Sequence, residues 1–94
     1  MAMNRYKMYI SAFGGMDGLM RIVNILRRGK VHYNQLHARF SDGNRVEITI
    51  YLEGESKEVR WVAAKLDRLP ETYTVKVEPP EDELSEATAA AIRG

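Results

Sequence analysis

Apolar residues recur along this chain at two alternating spacings. Near the start they occupy every second position, which predicts a half-buried β-strand containing Tyr6, Met8, Ile10 and Ala12. After Met16 the spacing becomes that of a helical stripe, formed by Leu19, Ile22, Val23 and Leu26. Gly29 follows this stripe and predicts the end of a first helix.

The next segment has the pattern of a β-hairpin. Apolar residues alternate on both sides of the turn dipeptide Asp42-Gly43, namely Leu36, Ala38 and Phe40, then Val46, Ile48, Ile50 and Leu52. Ser56 is a candidate N-cap for a second helix that ends before Pro70, with the stripe Val59, Val62, Ala63, Leu66 and Leu69. A last alternation predicts a fourth strand whose inward residues are Tyr73, Val75 and Val77.

These elements follow one another in the order βαββαβ. Two right-handed βαβ crossovers joined by a hairpin place both helices on one face of a four-stranded antiparallel sheet. The predicted fold class is therefore α+β, with a ferredoxin-like arrangement. The other sheet face is left open and polar, and it carries Tyr9, Ser11, Gln35, His37, Arg39, Glu47, Thr49 and Tyr51.

Composition adds an uneven distribution of charge. Residues 1–77 carry 13 basic and 8 acidic side chains, whereas residues 78–94 carry 1 and 5. Pro79 and Pro80 lack the donor that a sheet ladder needs. We therefore expect one folded domain over residues 1–78, followed by an acidic tail, residues 79–94, that has the pattern of a short helix.

The absence of cysteine excludes disulfides and thiolate metal sites, and it favours the cytoplasm. Arg5 and Lys7 interrupt the apolar start of the chain, so neither a signal peptide nor a membrane-spanning segment is predicted. His32 and His37 are separated by an odd number of positions, so a regular strand directs them to opposite faces. They cannot then share a metal or relay a proton, and no catalytic residue, cofactor or metal is predicted.

Three glycines precede the first helix, at Gly14, Gly15 and Gly18. This loop lacks the Lys-Ser/Thr pair of a nucleotide-binding loop. It does provide a helix N-terminus with free amides, which suits a carboxylate group. We expect at least one of these glycines to have a positive φ.

The open sheet face suggests a different function. Tyr9 and Tyr51 lie on the two strands from which RNA-recognition modules stack bases. The third strand lacks the glycine-aromatic pattern of those modules, and Glu47 and Glu53 repel phosphate. RNA binding is therefore a minor alternative, and neither a nucleic acid nor a membrane is expected as a partner.

In its order of elements the chain resembles an ACT domain, and two segments carry the resemblance: ISAFGGMDGLMRIVNILRRGKV and VEITIYLEGESKEVRWVAAKLDRLPETYTVKV. Over residues 7–77 it is similar to the small regulatory subunit of acetolactate synthase, of the short single-domain type. The resemblance implies a non-catalytic homodimer that associates with the acetolactate synthase large subunit in branched-chain amino acid biosynthesis. A free-standing ACT-domain amino-acid sensor is the alternative.

The resemblance also implies a binding site in the loop before the first helix. In that family the domains pair side by side through their sheets, and this loop holds a branched-chain amino acid at the interface. The matching positions are Gly14, Gly15, Met16, Asp17, Gly18 and Leu19. Asp17 stands where the family has a glycine, and Gly14 where it has an asparagine. We expect Asp17 to cap the helix, to fill the site from within the chain and to weaken amino-acid binding.

Three aromatic residues are candidates for binding a partner protein. Tyr9 and Tyr51 lie on the open face, and Trp61 lies off the apolar stripe of the second helix, where tryptophan is a frequent interface anchor. For Trp61, partial packing against the helices is the favoured interpretation over a free anchor. The small core and the unpaired sheet edges favour a symmetric dimer.

Overall fold

A computed structural model describes residues 4–78 of the chain. The elements are β1 Asn4–Phe13, α1 Gly15–Arg28, β2 His32–Ser41, β3 Arg45–Gly54, α2 Ser56–Asp67 and β4 Thr72–Glu78. The four strands form one antiparallel sheet in the order β2-β3-β1-β4. The predicted ferredoxin-like α+β class is thus confirmed. The helix predicted within residues 79–94 lies outside the described residues.

The core lies between one face of the sheet and the two helices. Its buried residues are Met8, Ile10, Ala12, Ile22, Leu26, Val46, Ile48, Ile50, Leu52, Val59, Val62 and Leu66. They all belong to the predicted apolar stripes, because a period of two on the strands and of 3.6 on the helices each select one face. Of the predicted stripe residues, Val23 is not part of this core, and Leu69 packs against it from beyond the end of α2. α1 packs against β1, β3 and α2, whereas α2 packs mainly against β4.

The core-side face of β2 is only partly covered. Leu36 and Phe40 pair with the buried residues Ile50 and Val46 of β3, so they lie on the predicted inward face. They remain 41% and 47% exposed, because α1 lies over β3 and β1 rather than over the outer strand. The alternation therefore predicts which face of β2 points to the core side, but not that neither helix covers this face.

A β-bulge in β2 changes the placement of the two histidines. The register of β2 on β3 shifts between Tyr33 and Gln35, so His32 and His37 both lie opposite residues of the open face. The prediction that they point to opposite faces is therefore wrong. Their partners on β3 are four positions apart, a separation of roughly 13 Å, which still prevents a shared metal or proton.

A second bulge, between Ser11 and Ala12, affects the start of β4. Tyr73 is left outside the regular ladder, with its ring centroid 5.3 Å from that of Phe13 and 5.2 Å from the Arg45 guanidinium. Phe13 and Arg45 pair on the open face. The prediction that Tyr73 points inward is therefore wrong, since a period-two pattern cannot detect the extra residue of a bulge.

The connections between elements differ from expectation in detail. Ser56 is the first residue of α2 rather than its N-cap, which is Glu55 and makes no side-chain cap hydrogen bond. In the β2–β3 turn the positive φ angles belong to Gly43 and Asn44, at 76° and 60°. Asp42 therefore does not share in the left-handed conformation.

A side chain of β2 caps the C-terminus of α1 with a hydrogen bond. The Tyr33 hydroxyl donates to the Leu26 carbonyl over 2.6 Å, and the Gly29 amide donates to the same oxygen over 3.1 Å. A Cβ at Gly29 would lie only 2.5 Å from Cγ2 of Val62. Glycine at this position thus allows the end of α1 to approach α2 closely.

We expect Tyr33→Phe to lower the free energy of unfolding by about 1–2 kcal/mol, because the Leu26 carbonyl loses a donor while the ring is kept. Urea unfolding followed by circular dichroism measures the change. Tyr73→Phe is the control, since that ring is exposed, and its effect should stay below about 0.5 kcal/mol. Equal losses in the two variants would contradict this role for Tyr33.

The same hydroxyl gives this prediction a pH dependence. Burial raises the pKa of Tyr33 from 10.0 to about 12. Because the folded-state pKa is the higher one, ionisation favours the unfolded chain as pH rises through the window from 10.0 to about 12. The wild type should lose stability in this window, and Tyr33→Phe should lose less.

Candidate functional site

The loop between β1 and α1 turns sharply at two glycines. Gly14 and Gly15 have φ angles of 100° and 56°, which confirms the expected positive φ. Gly18 has a different role, because a Cβ at this position would overlap the carbonyl oxygen of Phe13. The spacing of the glycines therefore allows the first turn of α1 to lie directly against the end of β1.

The N-terminus of α1 has no side-chain cap. Its N-cap is Gly14, and the Gly18 amide donates the first intrahelical bond to the Gly14 carbonyl over 3.2 Å. The amides of Gly15, Met16 and Asp17 precede that bond and so have no acceptor within the helix. Together with the helix dipole they form a positively polarised site at the end of β1.

Asp17 is not the N-cap that the sequence predicts. It is the third residue of α1, its side chain is exposed, and within residues 4–78 the start of this helix has no side-chain cap hydrogen bond. The expectation that Asp17 fills the site from within the chain is therefore wrong. Its carboxylate still interacts favourably with the helix dipole, but it would repel a second carboxylate bound at the same amides.

The turn before β4 closes one side of this loop. The Phe13 amide donates to the Glu71 carbonyl over 2.9 Å, and Arg21 Nε lies 3.0 Å from Glu71 Oε2. The Glu71 side chain is only 17% exposed, and its Oε1 is buried without a hydrogen-bond partner among the described residues. The sequence offers no signal for Glu71, because the residue is far from the loop along the chain.

Two exposed apolar side chains lie on the flank of α1 that is opposite to Arg21. Met16 and Met20 are 59% and 49% exposed and are one helical turn apart. Arg21, on the other flank, is bonded to Glu71 beside β4, so the two methionines face the β2 side of the sheet. We use the name β2 flank for four residues: Met16, Met20, Leu36 and Phe40.

The β2 flank adjoins an unpaired strand edge. β2 is the outer strand on this side of the sheet, so the backbone groups on its outer side have no partner strand among residues 4–78. An exposed edge of this kind is a template for pairing with another chain, and adjacent apolar side chains add area to such a contact. The structure thus brings Met16, a residue of the predicted loop, to the border of a candidate interface.

On the open face, Tyr9 and Tyr51 flank the side chain of Lys7. Lys7 Nζ lies 5.0 Å and 5.2 Å from the two ring centroids, and the Tyr9 hydroxyl donates to Glu78 Oε1 over 3.2 Å. The neighbouring Tyr9 and Tyr51 side chains raise the pKa of Lys7 above its ordinary value, so Lys7 is charged at neutral pH. The ammonium group occupies ring surface that a stacked base would need.

Trp61 lies apart from both of these sites. It is on α2, is 38% exposed, and has Lys65 Nζ 5.6 Å from its ring centroid. This is a partly covered ring. A role of Trp61 in binding a partner stays a prediction.

Residues 15–75 match the family model of the ACT domain. The chain belongs to the ACT-domain family. ACT domains are regulatory amino-acid-binding modules, so the predicted resemblance is confirmed at this level. The finer resemblance to the small subunit of acetolactate synthase stays a prediction. No curated protein matches this ACT domain.

Solved structures of other proteins share the fold. The ACT domain of GTP pyrophosphokinase from Chlorobium tepidum has a TM-score of 0.73 at 8% identity, covering 82% of this chain and 100% of that chain. A homoserine dehydrogenase from Thiobacillus denitrificans has a TM-score of 0.67 at 19% identity, and the match covers 81% of this chain and 17% of that chain. The 30S ribosomal protein S6 from Thermotoga maritima has a TM-score of 0.64 at 11% identity, and the match covers 96% of this chain and 98% of that chain. At these identities the likeness concerns the fold alone.

Neither helix in the described part of the chain is both long and apolar enough to cross a membrane.

Proposed function

We propose that this ACT domain is a non-catalytic regulatory subunit that forms a homodimer and associates with an acetolactate synthase catalytic subunit. The observation that carries the proposal is the β2 flank beside the unpaired edge of β2. An apolar surface next to a free strand edge favours assembly with another chain.

A second copy of the domain fits this surface. If two β2 edges pair antiparallel across a twofold axis, the two sheets become one and every contact occurs twice. Leu36 and Phe40 of both protomers then lie side by side in the gap between the two α1 helices. Each protomer's apolar side chains cover part of those of the other, which reduces the exposure of β2.

The same arrangement supports a ligand site at the interface. Met16 belongs both to the first turn of α1 and to the β2 flank, so the free amides of this turn lie at the border of the two protomers. We propose that these amides bind the carboxylate of a branched-chain amino acid, whose apolar side chain contacts Met16 and Leu19. The charge of Asp17 opposes that carboxylate, so we expect weak binding by the wild type.

The choice of catalytic partner rests on the resemblance to the short acetolactate synthase small subunit. A free-standing amino-acid sensor is the second candidate, favoured by the uncapped N-terminus of α1. RNA binding through the open face is the least favoured, because Lys7 lies against the rings of Tyr9 and Tyr51.

For the dimer, we expect Phe40→Glu to weaken self-association by about 100-fold or more, about 3 kcal/mol, because a carboxylate would be buried in the apolar contact. Sedimentation equilibrium measures the dissociation constant. Trp61→Glu is the matched control, since Trp61 is also exposed but lies on α2. A wild type that is monomeric at micromolar concentration, or equal effects of the two substitutions, would contradict the proposed interface.

For the regulatory role, the domain is mixed with the acetolactate synthase catalytic subunit encoded in the same genome. We expect a complex on size-exclusion chromatography and a changed rate of acetolactate formation.

Calorimetric titration of valine, leucine and isoleucine should show weak binding that Asp17→Asn strengthens several-fold, because the repelling charge is removed. Absence of the complex together with tight amino-acid binding by the isolated domain would favour the sensor instead.

A further inference from the structure

The regular part of the β2 edge is seven residues long. The register of β2 on β3 shifts at the bulge between Tyr33 and Gln35, and it is then unbroken from Gln35 to Ser41. The turn Asp42–Asn44 follows directly. A bulge bends a strand and disrupts its ladder, so only this stretch offers evenly spaced backbone groups to another strand. Ala38 is its central residue.

The arrangement of the proposed homodimer restricts how two such edges can pair. The helices of both protomers lie on one side of the joined sheet, so each core-side residue of β2 lies opposite a core-side residue of the partner. On the regular stretch these residues are Leu36, Ala38 and Phe40. Two opposing residues are then an even number of positions apart in the sequence. The twofold axis therefore passes through a residue, which lies opposite its own copy.

An axis at Ala38 pairs the two edges most completely. All seven regular residues then pair, and Leu36 lies opposite the partner's Phe40 on both sides of the axis. An axis at His37 or at Arg39 leaves only five residues paired. It also moves Phe40 or Leu36, respectively, opposite a position outside the regular stretch. An axis at Arg39 would in addition place two guanidinium groups directly opposite each other, which is destabilising.

The side chains suit the register that is centred on Ala38. Alanine is small, so its own copy opposite leaves room for the larger apolar pairs on either side of the axis. On the open face Arg39 then lies opposite the partner's His37 instead of its own copy. Gln35 lies opposite the partner's Ser41, and neither of these residues carries a charge.

This register brings a residue of the partner to the ligand site proposed at the start of α1. Phe13, which precedes the glycine loop, pairs with Arg45, and Arg45 pairs with Ser41. The loop therefore lies at the Ser41 end of β2. The partner's Leu36 lies at the same end, two strand spacings or about 10 Å from β3, over which α1 packs. It therefore borders Met16, which faces β2 from the first turn of α1.

We propose that the two β2 edges pair antiparallel with Ala38 on the twofold axis, so that Leu36 of each protomer packs against Phe40 of the other and borders the other's ligand site. The register rests on the homodimer proposed above. It makes the apolar side of each ligand site depend on the second protomer, so the site of a single chain is incomplete.

Single cysteines in the full chain test the register, because the chain contains none of its own. Five variants place one cysteine in turn at positions 36–40. The Cα atom of a residue on the axis lies about 5 Å from that of its copy, whereas one position away the distance is roughly 8 Å, too long for a disulfide. We expect Ala38→Cys to cross-link in mild oxidant at least ten times faster than the other four. Thr74→Cys, exposed on the other outer strand, is the matched control and should cross-link slowly.

A mixture of two variants tests the register without a change at its centre. Gln35→Cys and Ser41→Cys place cysteines opposite each other across the proposed interface. The mixed sample should therefore form a disulfide between the two variants, whereas each variant alone should form none. This result is expected even if Ala38→Cys disturbs the dimer.

The contact of Leu36 with the ligand site is measured without any substitution. Protein with carbon-13 only in its methionine methyl groups is mixed with protein labelled only in its leucine methyl groups. A methionine–leucine nuclear Overhauser effect then arises only between protomers. We expect one between Leu36 and Met16, and its absence in a dimeric sample would overturn the placement of Leu36.

The outcomes separate the register from the homodimer itself. Fastest cross-linking at another of the five positions would overturn the register and leave the homodimer intact. Uniformly slow cross-linking in a protein that sediments as a dimer would also overturn it, and would indicate that the dimer uses another surface. A monomeric wild type would overturn both the register and the homodimer.

Discussion

The placement of α1 is the constraint on which the other features of this domain depend. Two helices cover the sheet, and close contacts hold the first of them near the centre and away from β2. Gly18 allows its first turn to touch the Phe13 carbonyl, and Gly29 allows its last turn to approach Val62. On the side of β4, Arg21 of the same helix forms an ion pair with Glu71. A helix held in this way cannot also cover the outer strand.

The uncovered strand and the helix N-terminus are two results of this one placement. Because α1 lies over β1 and β3, Leu36 and Phe40 stay exposed beside an unpaired edge. Because its first turn lies against β1, the amides of that turn that have no acceptor within the helix lie at the border of the β2 flank. In the proposed dimer, a ligand at these amides is adjacent to the second protomer, which gives a physical route by which an amino acid affects assembly. Coupling of this kind requires that the ligand binds the assembled form more tightly.

Periodicity in the sequence predicts most of the fold. The stripes through Ile10, Ile22 and Val62 identify the strands, the helices and their buried faces, since each element must bury one side. Turn chemistry predicts the glycine loop and its positive φ angles. These features are local, and local spacing is what the sequence displays directly.

Features that depend on distant contacts or on an added residue escape the same reasoning. Bulges place Tyr73 and the two histidines on the open face, against a strict period of two. The contact of Glu71 with the loop joins residues far apart in the chain. Asp17 matches a capping residue in type, but the chain turns at Gly14 and leaves Asp17 inside the helix. The exposure of β2 follows from where α1 packs, which no local pattern specifies.

The claim that the β2 edge is an assembly surface is tested most directly by hydrogen–deuterium exchange at low and high micromolar protein concentrations. Pairing of two β2 strands protects backbone amides that the single chain leaves open, so exchange over β2 should slow as the concentration rises. The other outer strand, β4, should exchange at the same rate at both concentrations. Exchange over β2 that does not depend on concentration, or concentration-dependent protection of β4 instead, would contradict the claim.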